Sequence, residues 1–200
     1  MKNFVEDLGI NGHLTIIKRN KNGSEEVLLD DPNIIVSGMG VGLSYLFTGS
    51  GSNNIIDYQI DRFQLGVSGP PQGGVTSAIY QLSGALTGTE YGAGSNLFID
   101  TRTHITNTTI AANQIAALIP HSKITRIGNS SVRYTLVVDE EACNNITRGG
   151  QSMNLNEIGM FMKNPTGNAS ARPILVCYRT FSNIRKTSDF SLIFRWTLNF

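Results

Sequence analysis

The sequence is poor in the features that mark several common protein classes. Only two of its 200 residues are cysteines and one is a tryptophan, so no disulfide framework is available to hold a small fold together. Charged residues make up 16%, well below the roughly 25% usual for globular domains. No apolar run approaches the roughly 20 residues needed to cross a bilayer, and residues 1–7 lack the apolar core of a signal peptide. We therefore expect synthesis and folding in a cytoplasm, with no membrane partner.

The remaining composition favours strands joined by polar turns. Apolar residues reach 40%, and Gly, Asn, Ser and Thr replace the missing charges, which suits a β-rich core. The formal net charge of +1 gives no field that would draw nucleic acid or anionic lipid. We interpret Cys143 and Cys177 as reduced thiols. Cys177 lies in the apolar residues 174–178 and is expected to behave as a small buried hydrophobe.

Alternating patterns and turn signals predict most of the strands. Asn22-Gly23, between residues 13–20 and 25–30, is typical of a β-hairpin turn in which both central residues take positive φ. Residues 190–200 carry a large side chain at every second position, which fixes the register of that strand. Further strands are predicted at residues 61–67 (half-buried, with Phe63, Leu65 and Val67 on one face), 124–127, 131–138, 155–162 and 173–180.

One short helix is predicted at residues 41–47. Its apolar face would consist of Val41, Leu43 or Tyr45, Leu46 and Phe47. We interpret the glycine-rich residues 38–42 as a flexible turn before this helix, because a nucleotide-binding loop needs a glycine or a lysine that the sequence does not supply there. Residues 110–119 fit either a short helix or a linker across the sheet, and both readings stay open.

These elements predict a mainly β fold, an antiparallel β-sandwich or partly open barrel with an N-terminal hairpin and one short helix. Residues 1–35 are assigned to an N-terminal hairpin or arm, and residues 36–200 to a single β-rich domain. A long edge strand with little charge invites pairing unless something covers it. We therefore expect assembly to cover this edge by adding a strand from another chain.

No motif predicts catalysis, a cofactor or a metal. His13, His104 and His121 have no Cys, His or Asp at ligand spacing. The acidic residues 139–141 leave the end of a predicted strand and are expected to splay into solvent, whereas a glycosidase needs carboxylates that face each other across a cleft. Nucleophile-elbow and zinc motifs are absent from the sequence. We predict that the protein is not an enzyme and has no cofactor-binding or metal-binding residues.

The C-terminal third resembles a family of tailed-bacteriophage virion proteins. Residues 155–161 resemble the Glu-x-Gly-Leu-Phe strand of that family, and residues 174–181 resemble the strand that follows it. A Lys-Thr turn and a tryptophan-bearing last strand, residues 189–200, complete the pattern. Residues 33–36 and 60–69 resemble two upstream segments in the same order. The matching structural positions are Glu157, Gly159, Phe161, Arg179, Phe181, Lys186, Thr187 and Trp196.

The sequence departs from the family pattern in two places. Val176-Cys177-Tyr178 stands where Phe-Ala is common, and Ser68 stands where Thr is usual. These departures leave the subfamily open.

This resemblance implies a structural component of a phage tail, baseplate, neck or collar, with a possible role in anchoring fibres. It implies assembly in the bacterial host cytoplasm, other virion proteins and further copies of the chain as partners, and no nucleic acid. The alternative is a carbohydrate- or receptor-binding β-sandwich at a fibre tip, with a host-surface glycan as partner. Short strands and polar loops suit that function too. Exposed aromatic residues in the loops would support it, but the loops contain mostly Gly, Asn, Ser and Thr, with Tyr80 and Tyr91 as exceptions.

Four positions of the pattern carry physical expectations. Gly159 within a strand predicts a bulge or a close backbone approach. Lys186 is expected on the exterior of a turn between two strands. Glu157 and Arg179 lie on neighbouring predicted strands and are expected to pair across them, with a gain of about 0.2–1 kcal/mol. Trp196 is expected in the core, because it buries a large area.

Overall fold

The computed structural model describes residues 9–35, 37–48, 58–66, 115–145, 147–148, 151–152, 154–163 and 174–200. Within them the chain forms two five-stranded antiparallel sheets, a two-stranded ribbon and one α-helix, α1 (Ser37–Thr48), which confirms the predicted fold class and its sandwich-like form. The strands are β1 (Asn11–Asn20), β2 (Glu25–Pro32), β3 (Ile34–Ile35), β4 (Ile60–Gly66), β5 (Ile115–Leu118), β6 (Ile124–Arg126), β7 (Ser131–Val138), β8 (Thr147–Arg148), β9 (Gln151–Ser152), β10 (Leu155–Met162), β11 (Ile174–Ile184) and β12 (Phe190–Asn199).

The two main sheets each contain five strands. The first sheet has the order β2-β1-β12-β7-β6, and the second has the order β3-β11-β10-β4-β5. Strands β8 and β9 pair only with each other. The hairpin assigned to residues 1–35 is part of the first sheet, because β1 pairs along its whole length with β12. Residues 115–118, from the stretch that the sequence left open, form strand β5 beside β4.

The hairpin between β1 and β2 has a tight turn at the predicted place. The Gly23 amide donates to the Asn20 carbonyl, and the Asn20 amide donates to the Ser24 carbonyl, both at 2.9 Å. Gly23 has a φ of +85°, whereas Asn22 is not among the residues with positive φ. The prediction that both turn residues take positive φ is therefore wrong. Gly23 alone occupies the conformation that glycine adopts at no steric cost.

The core lies between the two sheets, and the last strand supplies much of it. Leu192, Phe194, Trp196 and Leu198 are fully buried, as the predicted alternation requires, but Ser191 and Ile193 next to them are buried too and Phe200 is 51% exposed. The alternation of buried and less buried residues therefore holds only from Phe194 onward. The Trp196 ring lies against Phe63 of β4 with their centroids 6.1 Å apart. This contact joins the two sheets, since β12 belongs to the first and β4 to the second. Burial of a tryptophan at this place contributes a large apolar area to the core.

Helix α1 begins before the predicted residue 41 and buries a different face. The glycine-rich residues 38–42 lie inside the helix, so their interpretation as a flexible turn is wrong. Met39 is buried and Gly42 closely approaches the Met162 sulfur, which leaves no room for a Cβ. By contrast, Phe47 is 81% exposed. The close packing of Gly42 against Met162 of β10 therefore explains why a glycine stands at this helical position despite its low helix propensity.

Strand β4 is buried more completely than its alternation predicts. The sequence predicts a half-buried strand, yet Asp61 and Gln64 are buried together with Phe63 and Leu65. Strand β4 lies between β10 and β5 in the second sheet, so it is an interior strand. The Asp61 carboxylate is paired with the Arg62 guanidinium at 3.2 Å, which offsets part of the cost of its burial.

Candidate functional site

Strand β2 forms an outer edge of the first sheet among the strands that the structure describes. Strand β1 pairs with it on one side. Leu29 is its only buried residue, and Val27 is 60% exposed. An eight-residue edge of this kind offers main-chain N–H and C=O groups to an added strand. It is therefore the described element best suited to bind another chain.

Cross-strand pairs hold the side chains of β2 against β1. Arg19 lies 2.6 Å from Glu25, and Lys18 lies 3.2 Å from Glu26. These four side chains are at least 30% exposed, so each pair contributes little to stability. They support the pairing of β2 with β1 and leave acidic side chains along the edge strand. Charges of this kind discourage indiscriminate strand pairing.

The middle of the same edge carries a small polar cluster. The Thr15 hydroxyl donates to the Asp30 carboxylate at 2.7 Å, and a ring nitrogen of His13 lies 2.9 Å from the same oxygen. The hydrogen bond from Thr15, and after it the one with His13, lower the pKa of the Asp30 carboxyl group. His13 is thus a surface residue of a strand with one carboxylate neighbour, which is too few ligands for a metal site.

The predicted pair between Glu157 and Arg179 is wrong. Glu157 of β10 lies opposite Thr180, and Arg179 of β11 lies opposite Ile158, so the two side chains leave opposite faces of the sheet. The Arg179 guanidinium instead donates to Asp31 of β2 at 2.8 Å. That contact links the second sheet to the edge strand of the first.

Glu157 takes part in a buried hydrogen bond on the other face. Its carboxylate accepts a 2.6 Å hydrogen bond from the hydroxyl of Tyr178, and both residues are at most 1% exposed. The bond gives a partner to a buried carboxyl oxygen that would be costly to leave unpaired. The bond orients Glu157 within the sheet, so this position of the family pattern is structural in the described fold.

The prediction that Lys186 lies on the exterior is also wrong. Lys186 is 2% exposed, and its Nζ donates to Asn144 Oδ1 at 2.9 Å and to the Thr187 carbonyl at 2.8 Å. The Phe190 ring centroid lies 5.2 Å from the same nitrogen. Burial has the largest effect on the pKa of Lys186 and lowers it, while nearby acidic groups act in the opposite direction. Lysine is almost never buried without such partners.

The remaining positions of the family pattern are also structural in the described fold. Trp196 is in the core as predicted, and Phe161 and Phe181 are buried. Gly159 lies opposite Tyr178 in regular pairing, and the irregularities of β10 fall on either side of it rather than at it. The Thr187 hydroxyl donates to Asp189 at 2.9 Å next to the buried lysine. These residues shape the fold around β10 to β12.

The acidic residues 139–141 do not all extend into solvent as the sequence predicts. Asp139 and Glu141 are exposed, as expected, but Glu140 is only half-exposed. The Asp139 carboxylate accepts a hydrogen bond from the Glu141 amide at 3.1 Å. Asp139 and Glu140 also lie close enough to Lys186 to raise its pKa against the effect of burial. Sequence reasoning misses this contact because the lysine is remote in the chain.

Within the described ranges, His, Cys, Asp and Glu do not come together in groups of three that could hold a metal ion. His121 is exposed in a short 3₁₀ turn, whereas His104, Tyr80 and Tyr91 lie outside the described residues. Cys143 and Cys177 are free and buried, and burial raises the pKa of each thiol. Neither is therefore prepared to act as a thiolate nucleophile.

Comparison of the chain with protein-family models, with curated proteins and with solved structures gives no match. None of the described helices is long and apolar enough to span a membrane.

Proposed function

We propose that this chain is a structural component of a bacteriophage particle, in the tail, baseplate, neck or collar, and that it assembles by protein–protein contacts. Copies of the chain and other virion proteins would be its partners, with fibre attachment as one possible role in the particle. Assembly through strand pairing at β2 is the mode that the geometry supports best.

The observation that carries the assembly proposal is the exposed edge of β2. Its pairing with β1 runs from Glu25 to Pro32 with one irregularity, at Leu28, and its Val27 side chain is 60% exposed. Strand addition at such an edge gains main-chain hydrogen bonds for affinity and uses alternate side chains for specificity. The phage part of the proposal rests on the resemblance of residues 155–161, 174–181 and 189–200 to virion proteins.

Native mass spectrometry of the purified chain tests this proposal. We expect a closed homo-oligomer, since most soluble homo-oligomers have closed point-group symmetry. Val27→Asp should shift that oligomer toward monomer, because the new carboxylate adds to an acidic edge strand. Val137→Asp is the matched control. Val137 is 43% exposed and lies on β7, which β1 and β12 separate from β2 in the first sheet, so its charge should leave strand pairing at β2 unchanged.

Two results would contradict the proposal. A chain that stays monomeric at all concentrations, and that binds members of a glycan array, would favour the receptor-binding alternative. An oligomer that resists Val27→Asp but dissociates with Val137→Asp would move the interface away from β2. The genes beside the coding sequence give an independent check: portal, sheath or fibre genes are expected there.

A further inference from the structure

Lys186 and Asn144 are held together from two directions. They are 42 positions apart in the chain, yet the lysine Nζ and the amide Oδ1 are 2.9 Å apart. The Asn145 amide also donates to the Lys186 carbonyl at 2.9 Å. The loop that follows β7 and the connection between β11 and β12 are therefore joined through main chain and side chains.

The backbone around Asn144 adopts an unusual conformation that aims its side chain at the lysine. Cys143 and Asn145 have φ values of 58° and 47°, a region that residues other than glycine enter at a cost. The Asn144 Nδ2 donates to the Glu140 carbonyl at 2.5 Å. With its nitrogen fixed by Glu140 and its oxygen by Lys186, the amide has a defined orientation in the loop.

The surroundings of the amine favour reaction over simple ion pairing. Burial lowers the pKa of Lys186, which raises the fraction of neutral, nucleophilic amine at a given pH. The acidic groups that oppose this shift are Glu140, Asp139 and Asp189, together with the Cys143 thiol. Asp139 accepts from the Glu141 amide, and Asp189 accepts from Thr187. Glu140 lies in the same loop as Asn144, and its main-chain carbonyl accepts from the Asn144 amide, so its carboxyl group is the one we assign to carry protons.

We propose that Lys186 and Asn144 form an intramolecular isopeptide bond. The Lys186 Nζ lies beside the carbonyl oxygen of the amide, so a small rotation of the side chain presents Cγ to the nitrogen. Proximity of this kind makes the acyl transfer unimolecular and removes the entropic cost of bringing the two groups together. The reaction needs no oxidant, metal or cofactor, because it is an acyl transfer within the chain.

The bond between Lys186 and Asn144 forms by an acyl transfer that releases ammonia. The neutral amine of Lys186 attacks Cγ of Asn144, and a tetrahedral adduct forms. Glu140 takes a proton from the attacking nitrogen and returns it to Nδ2, the C–Nδ2 bond breaks, and ammonia leaves. The product contains one new Nζ–Cγ amide bond, and the protein is lighter by one molecule of ammonia. Proton transfer by a carboxyl group is ordinary general acid–base catalysis.

Intact-mass measurement of the purified, folded protein tests this inference directly. We expect a mass below that of the sequence by one ammonia. Digestion with trypsin should then give a branched peptide in which residues 134–148 are joined to residues 186–195, with no cleavage after the modified lysine. Fragmentation should place the bond on Asn144 rather than on Asn145.

Variants separate this bond from other losses of ammonia. Succinimide formation at Asn22-Gly23 has the same mass change, but it would persist in Lys186→Arg and would give no branched peptide. Lys186→Arg and Asn144→Ala should both restore the full mass. Glu140→Gln should leave most of the protein unlinked after purification, while Glu141→Gln, the exposed neighbour, should remain fully linked.

An intact mass equal to that of the sequence, in folded protein kept for days at neutral pH, would overturn the proposal. That measurement uses the unmodified chain, so it does not depend on whether any variant folds. A branched peptide that still forms at an unchanged rate in Glu140→Gln would overturn the role of Glu140.

Discussion

Strands β2 and β10 are both eight residues long, but they are stabilised in different ways. Only Leu29 of β2 is buried, whereas Asn156 is the one residue of β10 that is not. Strand β2 has one paired neighbour and exposed ion pairs, while β10 lies between β11 and β4. The contrast separates two kinds of strand. The interior strand contributes side chains to the buried core, whereas the edge strand leaves its outer side open among the described strands.

The largest expected effect comes from the contact between the two sheets. Trp196→Ala should lower the free energy of unfolding by about 3–5 kcal/mol, because it removes a fully buried side chain and leaves a cavity beside Phe63. Phe47→Ala is the control, since that aromatic side chain is 81% exposed. Urea denaturation followed by circular dichroism measures both. Equal losses of the free energy of unfolding in the two variants would show that the buried Trp196 stabilises the fold no more than an exposed aromatic side chain does.

The second largest effect on stability is expected from the hydrogen bond between Tyr178 of β11 and Glu157 of β10. Tyr178→Phe removes the donor to the buried Glu157 carboxylate, and the desolvated oxygen should cost about 1–3 kcal/mol of stability. Tyr45→Phe is matched in chemistry but lies at a helix position that is 40% exposed, so it should cost almost nothing. An undiminished free energy of unfolding in Tyr178→Phe would show that Glu157 does not depend on this bond.

The buried thiol of β11 predicts a pH dependence. Burial raises the pKa of Cys177 above its ordinary 9.0, although a hydrogen bond with Asn33 works in the opposite direction. The folded state therefore keeps its proton above pH 9 while the unfolded state loses it. Because the folded state then binds more protons, stability should fall by about 1.4 kcal/mol per pH unit from this group.

Comparison of the native chain with Cys177→Ala isolates this effect. The alanine variant should be less stable at pH 7 because of the cavity, but its free energy of unfolding should fall less steeply between pH 9 and pH 10.5. Urea titrations at several pH values provide the slopes. Parallel slopes for the two proteins would mean that the thiol ionises in the folded state.

The smallest effect is expected on β2. A double-mutant cycle on Arg19 and Glu25 should give a coupling of about 0.2–1 kcal/mol, which salt should reduce further. If the coupling instead matched the loss in Tyr178→Phe, the edge strand would contribute to folding as an interior strand does. Native mass spectrometry of the same variants would show whether the pair matters for assembly.

Much of this fold follows from local sequence patterns. Strands β7, β10 and β12 were predicted within one residue at each end, since alternation and turn residues act over short distances. The hairpin was predicted from Asn22-Gly23 for the same reason. The predicted start of helix α1, residue 41, was too late in the sequence, because Gly38 to Gly42 resemble a turn when they are read in isolation. Gly42 makes its close contact with Met162, about 120 residues away in the sequence, and no local pattern reveals it.

The polar contacts were less predictable than the strands. Pairing Arg179 with Glu157 assumed that adjacent strands place these residues on one face, but a shift of one residue in register reverses the face. Lys186 was placed outside because lysine is rarely buried. Its partner Asn144 lies in a distant loop, and the positive φ values that orient this loop carry no glycine signal. The phage assignment and the absence of enzymatic activity stay predictions.

The pairing of β1 with β12 has a consequence for how the chain is made. Asn11 and Asn199 are in contact across 188 positions, so translation must reach the last strand before β1 gains its second neighbour. Long-range pairing of this kind slows folding and leaves strand edges open for longer. Until β12 is synthesised, the hairpin of β1 and β2 has an unpaired outer side on each of its strands. We therefore expect this stage of folding to be the most sensitive to chaperones and to premature association of nascent chains.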